Sequence, residues 1–218
     1  MPITAAERVA PLLRRFSLIF SAVYFITVPL PFPGRFVVKG LAIATLAAVA
    51  WVGSARMLWL ALVASTVGDV LLDLDPARLF VPGLCAFLAA HLVYVAIFAP
   101  RWPIPLRISL PRLILFPIIL AYAAGFAFWL APELLLTKMT LPVTLYICVI
   151  TTMVITAVGA RLPLYVPIGA FLFLISDSLL AIAKFNKASF ALRDYLVWAT
   201  YYAAQYFIAA GILKQKRD

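Results

Sequence analysis

Apolar residues run along this chain in long stretches, broken at near-regular intervals by short clusters of proline, glycine and charge. A stretch of about 20 mostly apolar residues can cross a bilayer as a helix. Eight are predicted, at residues 16–32, 36–53, 57–75, 79–99, 111–131, 140–158, 163–184 and 193–213. Pro31 and Pro33 end the first, and Gly53 to Arg56 separates the second from the third. Asp75 to Arg78 makes the next turn, and the longest link runs from Pro100 to Pro111. Links this short make neighbouring spans antiparallel and leave no room for a soluble domain. The expected fold is all-α: a polytopic transmembrane bundle of about eight helices, forming a single integral membrane domain over residues 1–218.

Composition supports this class. Of 218 residues, 66% are hydrophobic and 12% charged, more apolar surface than a soluble domain can hide. The net charge of +10 brings nucleic acid to mind. The 18 Lys and Arg, however, lie singly or in small groups between apolar runs, which fits membrane flanks meeting anionic head groups and predicts no nucleic-acid partner. An inner N-terminus puts eleven basic residues inside, among them Arg8, Arg14, Arg15, Arg107 and Arg217. Seven fall outside: Arg35, Lys39, Arg78, Lys138, Lys184, Lys187 and Arg193. This bias predicts cytoplasmic termini in a bacterial inner membrane. Arg14-Arg15 resembles the charged start of a signal peptide, but no small-x-small cleavage site follows, so the first span is expected to be retained. Cys85 and Cys148 each stand alone in an apolar run and are expected to be small buried hydrophobes. No obligatory protein partner is evident.

Two carboxylates interrupt this pattern. Asp69 lies in Gly68-Asp69-Val-Leu-Leu72 of the third predicted span, and Asp177 in Ser176-Asp177-Ser-Leu-Leu180 of the seventh. An acid at membrane depth costs roughly 2.5–3.5 kcal/mol on insertion scales, so it faces a cavity or a partner. The matched segments make spans 1–4 and 5–8 (residues 1–100 and 105–218) read as two copies related by an axis along the membrane normal. At 1.5 Å per residue, Asp69 and Asp177 lie about 18 and 20 Å from the inner edge, and His91 about 18 Å below the outer one. Tyr201 and Gln205 share a face of the eighth span, as His91 and Tyr94 do in the fourth. One polar pocket between spans 3, 4, 7 and 8 follows. Asp73, four residues past Asp69, falls near the outer edge, where solvation competes with function. Lys39 opens the second span, either snorkelling to the interface or facing a phosphate or an Asp. Each of these side chains also has a plain structural reading, as a hydrogen-bonding group between helices.

One histidine and two isolated cysteines give weak support for zinc, and no serine elbow or nucleotide-binding glycine motif occurs. No metal or cofactor is expected. Two acids in a low-dielectric site do not both ionise cheaply, so the pair holds a general acid and a general base together. That suits hydrolysis of a bond activated by protonation, in a membrane-embedded substrate. An Asp-lined carrier for a lipid or small solute is one alternative. An intramembrane aspartyl protease is another, although Thr66-Val-Gly-Asp69 has Thr where a Gly-x-Gly-Asp motif needs Gly.

Gly68-Asp69-Val-Leu-Leu72, then Phe80-Val-Pro-Gly83 through His91-Leu-Val-Tyr94, resembles the YhhN family of lysoplasmalogenases. So does Gly169 through Ser176-Asp177-Ser-Leu-Leu-Ala181, followed by Tyr201-Tyr202-Ala-Ala-Gln205. The likeness runs from about Lys39 to Gln205 in matching order. The family pattern opens the second span with Lys-Pro, where this chain has Lys39-Gly40. The resemblance implies hydrolysis of the vinyl ether bond of lysoplasmalogens, to a fatty aldehyde and glycerophosphoethanolamine or glycerophosphocholine. It implies Asp69 and Asp177 as the catalytic pair. Lys39, Asp73, His91, Tyr94, Ser176, Tyr201 and Gln205 are then the residues expected to orient water or hold the lysophospholipid, with Lys39 and the outer basic residues at the phosphate.

Overall fold

The computed structural model describes residues 5–30, 32–103, 110–185 and 191–216. The expected helix breaker Pro31 and the basic residues Arg107, Lys187 and Arg217 lie outside the described residues. Among those described, eight helices are long and apolar enough to span a membrane. They are α1 (Ala5–Thr27), α2 (Arg35–Val52), α3 (Arg56–Leu74), α4 (Phe80–Phe98), α5 (Leu110–Leu136), α6 (Thr140–Gly159), α7 (Tyr165–Phe185) and α8 (Arg193–Gln215). The protein is an integral membrane bundle.

Six of the eight follow the expected spans within a few residues; α1 and α5 depart further. Helix α1 starts at Ala5 rather than residue 16 and stops at Thr27 rather than residue 32. Its end falls where Val28 precedes Pro29, a position that disfavours helical backbone, so the break comes before Pro31 and Pro33. Arg14 and Arg15 lie inside the helix instead of ahead of it, because arginine is a good helix former and polarity alone does not end a helix. Helix α5 continues through Pro132 to Leu136, beyond the expected end at 131, as membrane helices tolerate proline.

Successive helices α1 to α4 pack in sequence; α4 then packs on α6, α6 on α5 and α7, and α7 on α8. Helix α8 returns to α2 and α1. Six helices (α2, α3, α4, α6, α7 and α8) thus form a closed circuit, with α1 and α5 outside it. Small residues set the tightest crossings, since close helix approach in a membrane needs little side chain. A Cβ on Gly169 would stand 2.8 Å from the Ala204 carbonyl oxygen of α8. A Cβ on Gly40 would stand 2.9 Å from Val70 of α3. The circuit's centre is filled by Phe87, His91, Tyr94, Phe173, Tyr201 and Gln205, all buried. The outward faces are apolar and bare, as at Phe128 and Leu141. Cys85 and Cys148 are exposed, not buried as expected; hydrophobicity in a membrane chain does not distinguish a lipid-facing position from a core one.

Candidate active site

Asp69 projects from the fourth turn of α3 into the bundle and is buried. Its Oδ2 accepts a hydrogen bond from the Tyr201 hydroxyl of α8 at 2.5 Å. Its Oδ1 lies 3.4 Å from the Lys39 ammonium of α2. Gly40 lets α2 come close enough for that contact. One turn away, Arg35 grips Asp73 with Nη2 to Oδ1 at 2.9 Å and Nε to Oδ2 at 3.3 Å. Residues four apart on α2 therefore meet residues four apart on α3, as two ion pairs in register. Tyr24 of α1 donates to Asp73 at 3.2 Å.

Behind Tyr201 stands a directional relay. Tyr94 donates to the Gln205 side-chain oxygen at 2.5 Å, and Gln205 Nε2 donates to the Tyr201 oxygen at 3.3 Å. Tyr201 then donates to Asp69. Each donor polarises the next, and the relay ends on the carboxylate.

Asp177, on α7, is held in a parallel way from other helices. Its Oδ2 accepts from the Tyr146 hydroxyl of α6 at 2.5 Å, with His91 Nε2 of α4 at 3.4 Å. His91 Nε2 and the Tyr146 oxygen are 2.9 Å apart. One proton arrangement satisfies the three: His91 Nε2–H donates to Tyr146, and Tyr146 donates to Asp177. His91 Nδ1 then has no hydrogen-bond partner, and the ring packs edge-on against Phe173 at 4.6 Å between centroids.

Both acids open onto one cavity of about 280 Å³. Lys39, Asp69, Asp73, Ser176, Asp177 and Tyr201 line it, and these six expected residues are brought together. Arg35, Arg193, Asp194, Tyr24 and Trp198 complete its polar rim. His91, Tyr94 and Gln205 are fully buried and do not line it; they stand behind Asp177 and Tyr201, which do. Ser176 spends its hydroxyl on the Val197 carbonyl of α8 at 3.0 Å. Asp75 stays in its loop, capping the backbone N–H groups of Ala77 and Arg78. The cavity takes walls from α1 and α2 as well as from α3, α4, α7 and α8, which widens the expected four-span pocket. Among the described residues, no three His, Cys, Asp or Glu side chains converge as metal ligands would.

Sequence reasoning missed Tyr146, Tyr24 and Trp198, and it named Arg35 only among the outer basic residues, not as the partner of Asp73. Tyr146 had a usable signal: a polar-tipped residue amid the apolar run of its span, as with His91. Arg35 had another, since its spacing to Lys39 copies that of Asp73 to Asp69.

The chain is similar to proteins named lysoplasmalogenase. A lysoplasmalogenase from Mycobacterium bovis is 37% identical over 159 residues, covering 70% of this chain and 59% of the relative. Human "Lysoplasmalogenase TMEM86B" is 35% identical over 182 residues, covering 81% and 74%. Bovine "Lysoplasmalogenase TMEM86A" is 30% identical over 172 residues, covering 75% and 68%. The chain thus spans about three-fifths of the mycobacterial relative's length. No solved structure matches it. The YhhN family matches residues 34–212, which takes in α2 to α7, most of α8 and both aspartates; the chain belongs to the YhhN family.

Proposed function

We propose that the protein hydrolyses the vinyl ether bond of lysoplasmalogens, releasing a fatty aldehyde and glycerophosphoethanolamine or glycerophosphocholine. The observation that carries this reading is the pair of carboxylates on α3 and α7 opening onto one membrane-embedded cavity. The names of the relatives support the substrate class.

Asp177 is the acid in this reading and Asp69 the base. Lys39 supplies the counter-charge for a carboxylate at Asp69, whereas the described partners of Asp177 are a phenol and an imidazole. Protonated Asp177 gives its proton to the β-carbon of the enol ether, and the electron pair of the double bond forms the new C–H bond. The oxocarbenium ion that results is attacked by water, whose proton passes to Asp69. The hemiacetal then collapses. Its hydroxyl proton returns to Asp177, and the proton on Asp69 goes to the departing glycerol oxygen. Both acids end as they began, and no further reactant is needed. Tyr201 and Tyr146 fix the orientation of the two carboxylates. Arg35, Lys39 and Arg193 are the cations that face the phosphate.

The crosswise bonding supports the two-repeat reading of residues 1–100 and 105–218. Asp69 is held by α2 and α8, and Asp177 by α6 and α4. These helices exchange places when the halves are swapped. With cytoplasmic termini in a bacterial inner membrane, the cavity rim at Arg35 and Arg193 faces outward.

The test is a purified-protein assay in detergent, with a chelator present, on a vinyl-ether lysolipid and its saturated ether analogue. Aldehyde from the vinyl form alone is the expected result, because only an alkene carbon accepts the proton. Release of glycerophospho product from both substrates would overturn the reading, and no release from either would favour the carrier.

A further inference from the structure

A second cavity begins where the polar one ends. It runs between α4, α5, α6 and α7, and the two share Leu72, Phe87, Asp177 and Leu180. Its remaining walls are mainly hydrocarbon, including Leu84, Phe126, Val143, Ile147, Ala181 and Phe185. The hydroxyls along it are already engaged. Tyr122 donates to Ser178 at 2.8 Å, Ser178 to the Leu174 carbonyl at 2.7 Å, and Thr151 to the Ile147 carbonyl at 2.6 Å. Tyr146 is committed to Asp177. A polar ligand would lose its water here and gain no donor, while a hydrocarbon loses nothing.

The contrast across Asp177 is sharp. On one side lie Arg35, Lys39 and Arg193 together with Asp69, Asp73 and Asp194, a mixed-charge wall matched to a head group that carries a phosphate and an ammonium. On the other lies a groove matched to a chain. Helix α5, which forms its outer wall, is the least buried of the eight spans. Tyr122, itself exposed, ties α5 to α7 through Ser178.

We propose that this groove holds the single hydrocarbon chain of the lysolipid, which enters sideways from the bilayer beside α5 and leaves the first carbons of the chain at Asp177. The inference rests on the vinyl-ether reading and deepens it. It assigns the tail to one groove, the phosphate to the rim of the other cavity, and the scissile bond to the junction. It also accounts for Asp177, rather than Asp69, facing the alkene carbon: the β-carbon belongs to the chain, and Asp177 lines both cavities while Asp69 lines only the polar one.

Photo-crosslinking tests this without relying on turnover. A single-chain lysophospholipid with a diazirine near its chain end is incubated with the full-length protein in nanodiscs, illuminated and mapped by mass spectrometry. Labelling on α5, α6 and α7 around Phe126, Val143 and Ala181 is expected. Ala181→Trp should lose the label, and so should Ala123→Trp from the opposite wall, which guards against one misfolded variant. Labelling concentrated on other faces, or unchanged in both variants, would overturn the groove assignment. A hydrolysis assay runs in parallel. With a long-chain vinyl-ether substrate, each Trp variant should raise KM roughly tenfold or more. With a short-chain substrate that ends before the groove, KM should stay near wild type. Equal losses on both substrates would also overturn the assignment. Correct labelling without any vinyl-ether cleavage would sink the functional reading and leave the groove standing.

Discussion

Tyr201 on α8 donates a 2.5 Å hydrogen bond to Asp69 on α3 and accepts one from Gln205 at 3.3 Å. It therefore links the carboxylate to the buried amide. Tyr201→Phe removes the donor to Asp69 and leaves Gln205 Nε2 without its acceptor. A buried polar group left unpaired costs about 1–3 kcal/mol. The expected outcome is a lower melting temperature in detergent together with slower aldehyde release. A variant that matches wild type in both would show that the relay is incidental.

The two aspartates should fail separately and alike. Asp69→Asn and Asp177→Asn keep the size of the side chain but remove its ability to exchange a proton. Loss of one general acid or base lowers kcat by roughly 10²–10⁴. Gel filtration and circular dichroism should show folded protein in each case. Full turnover in either variant would remove that residue from the mechanism.

Lys39 gives a sharper test of the ion pair. Lys39→Met strands the Asp69 carboxylate with its phenol partner but no counter-charge. Breaking one side of a buried pair costs about 3–5 kcal/mol. Lys39→Met/Asp69→Asn removes both charges and should regain most of that stability while staying inactive. Thermal unfolding of the four proteins of this cycle supplies the measurement. An additive double mutant would mean that the 3.4 Å contact carries no coupling.

Arg193 is expected to act on binding alone. It lines the rim of the polar cavity and donates to Asp194 at 2.8 Å, not to Asp69 or Asp177. Arg193→Gln should raise KM for a phosphate-bearing substrate and leave kcat unchanged, the signature of an interaction made equally in ground and transition states. A fall in kcat at constant KM would place it in the chemistry instead.

Much of this architecture was legible in the chain. Eight apolar runs gave eight helices, and two acids out of place in grease pointed to the cavity. Helix ends were less legible, because proline acts on the residue before it, as at Val28, and can also sit inside a membrane helix, as at Pro132. The division of labour among polar residues was not legible. Periodicity puts Tyr201 and Gln205 on one face, but not which of them reaches the cavity and which stands behind it. Tyr146 escaped notice because its partner, Asp177, lies on the next helix, and a polar tip in an apolar run does not say which helix it faces. The cysteines failed for a different reason: lipid and protein interior are equally apolar surroundings.

The hydrogen bonds to the two acids reach across the molecule, from α8 to α3 and from α6 and α4 to α7. The phenol for Asp69 is on α8, which follows the other seven described helices along the chain. A nascent chain carrying seven inserted helices already has Lys39, Asp73 and Asp177, yet Asp69, the proposed base, has no phenol to aim it. On the proposed function, reactivity toward membrane lipid is therefore withheld until α8 is in place, and a chain cut before residue 193 is expected to stay inert in the bilayer that hosts it.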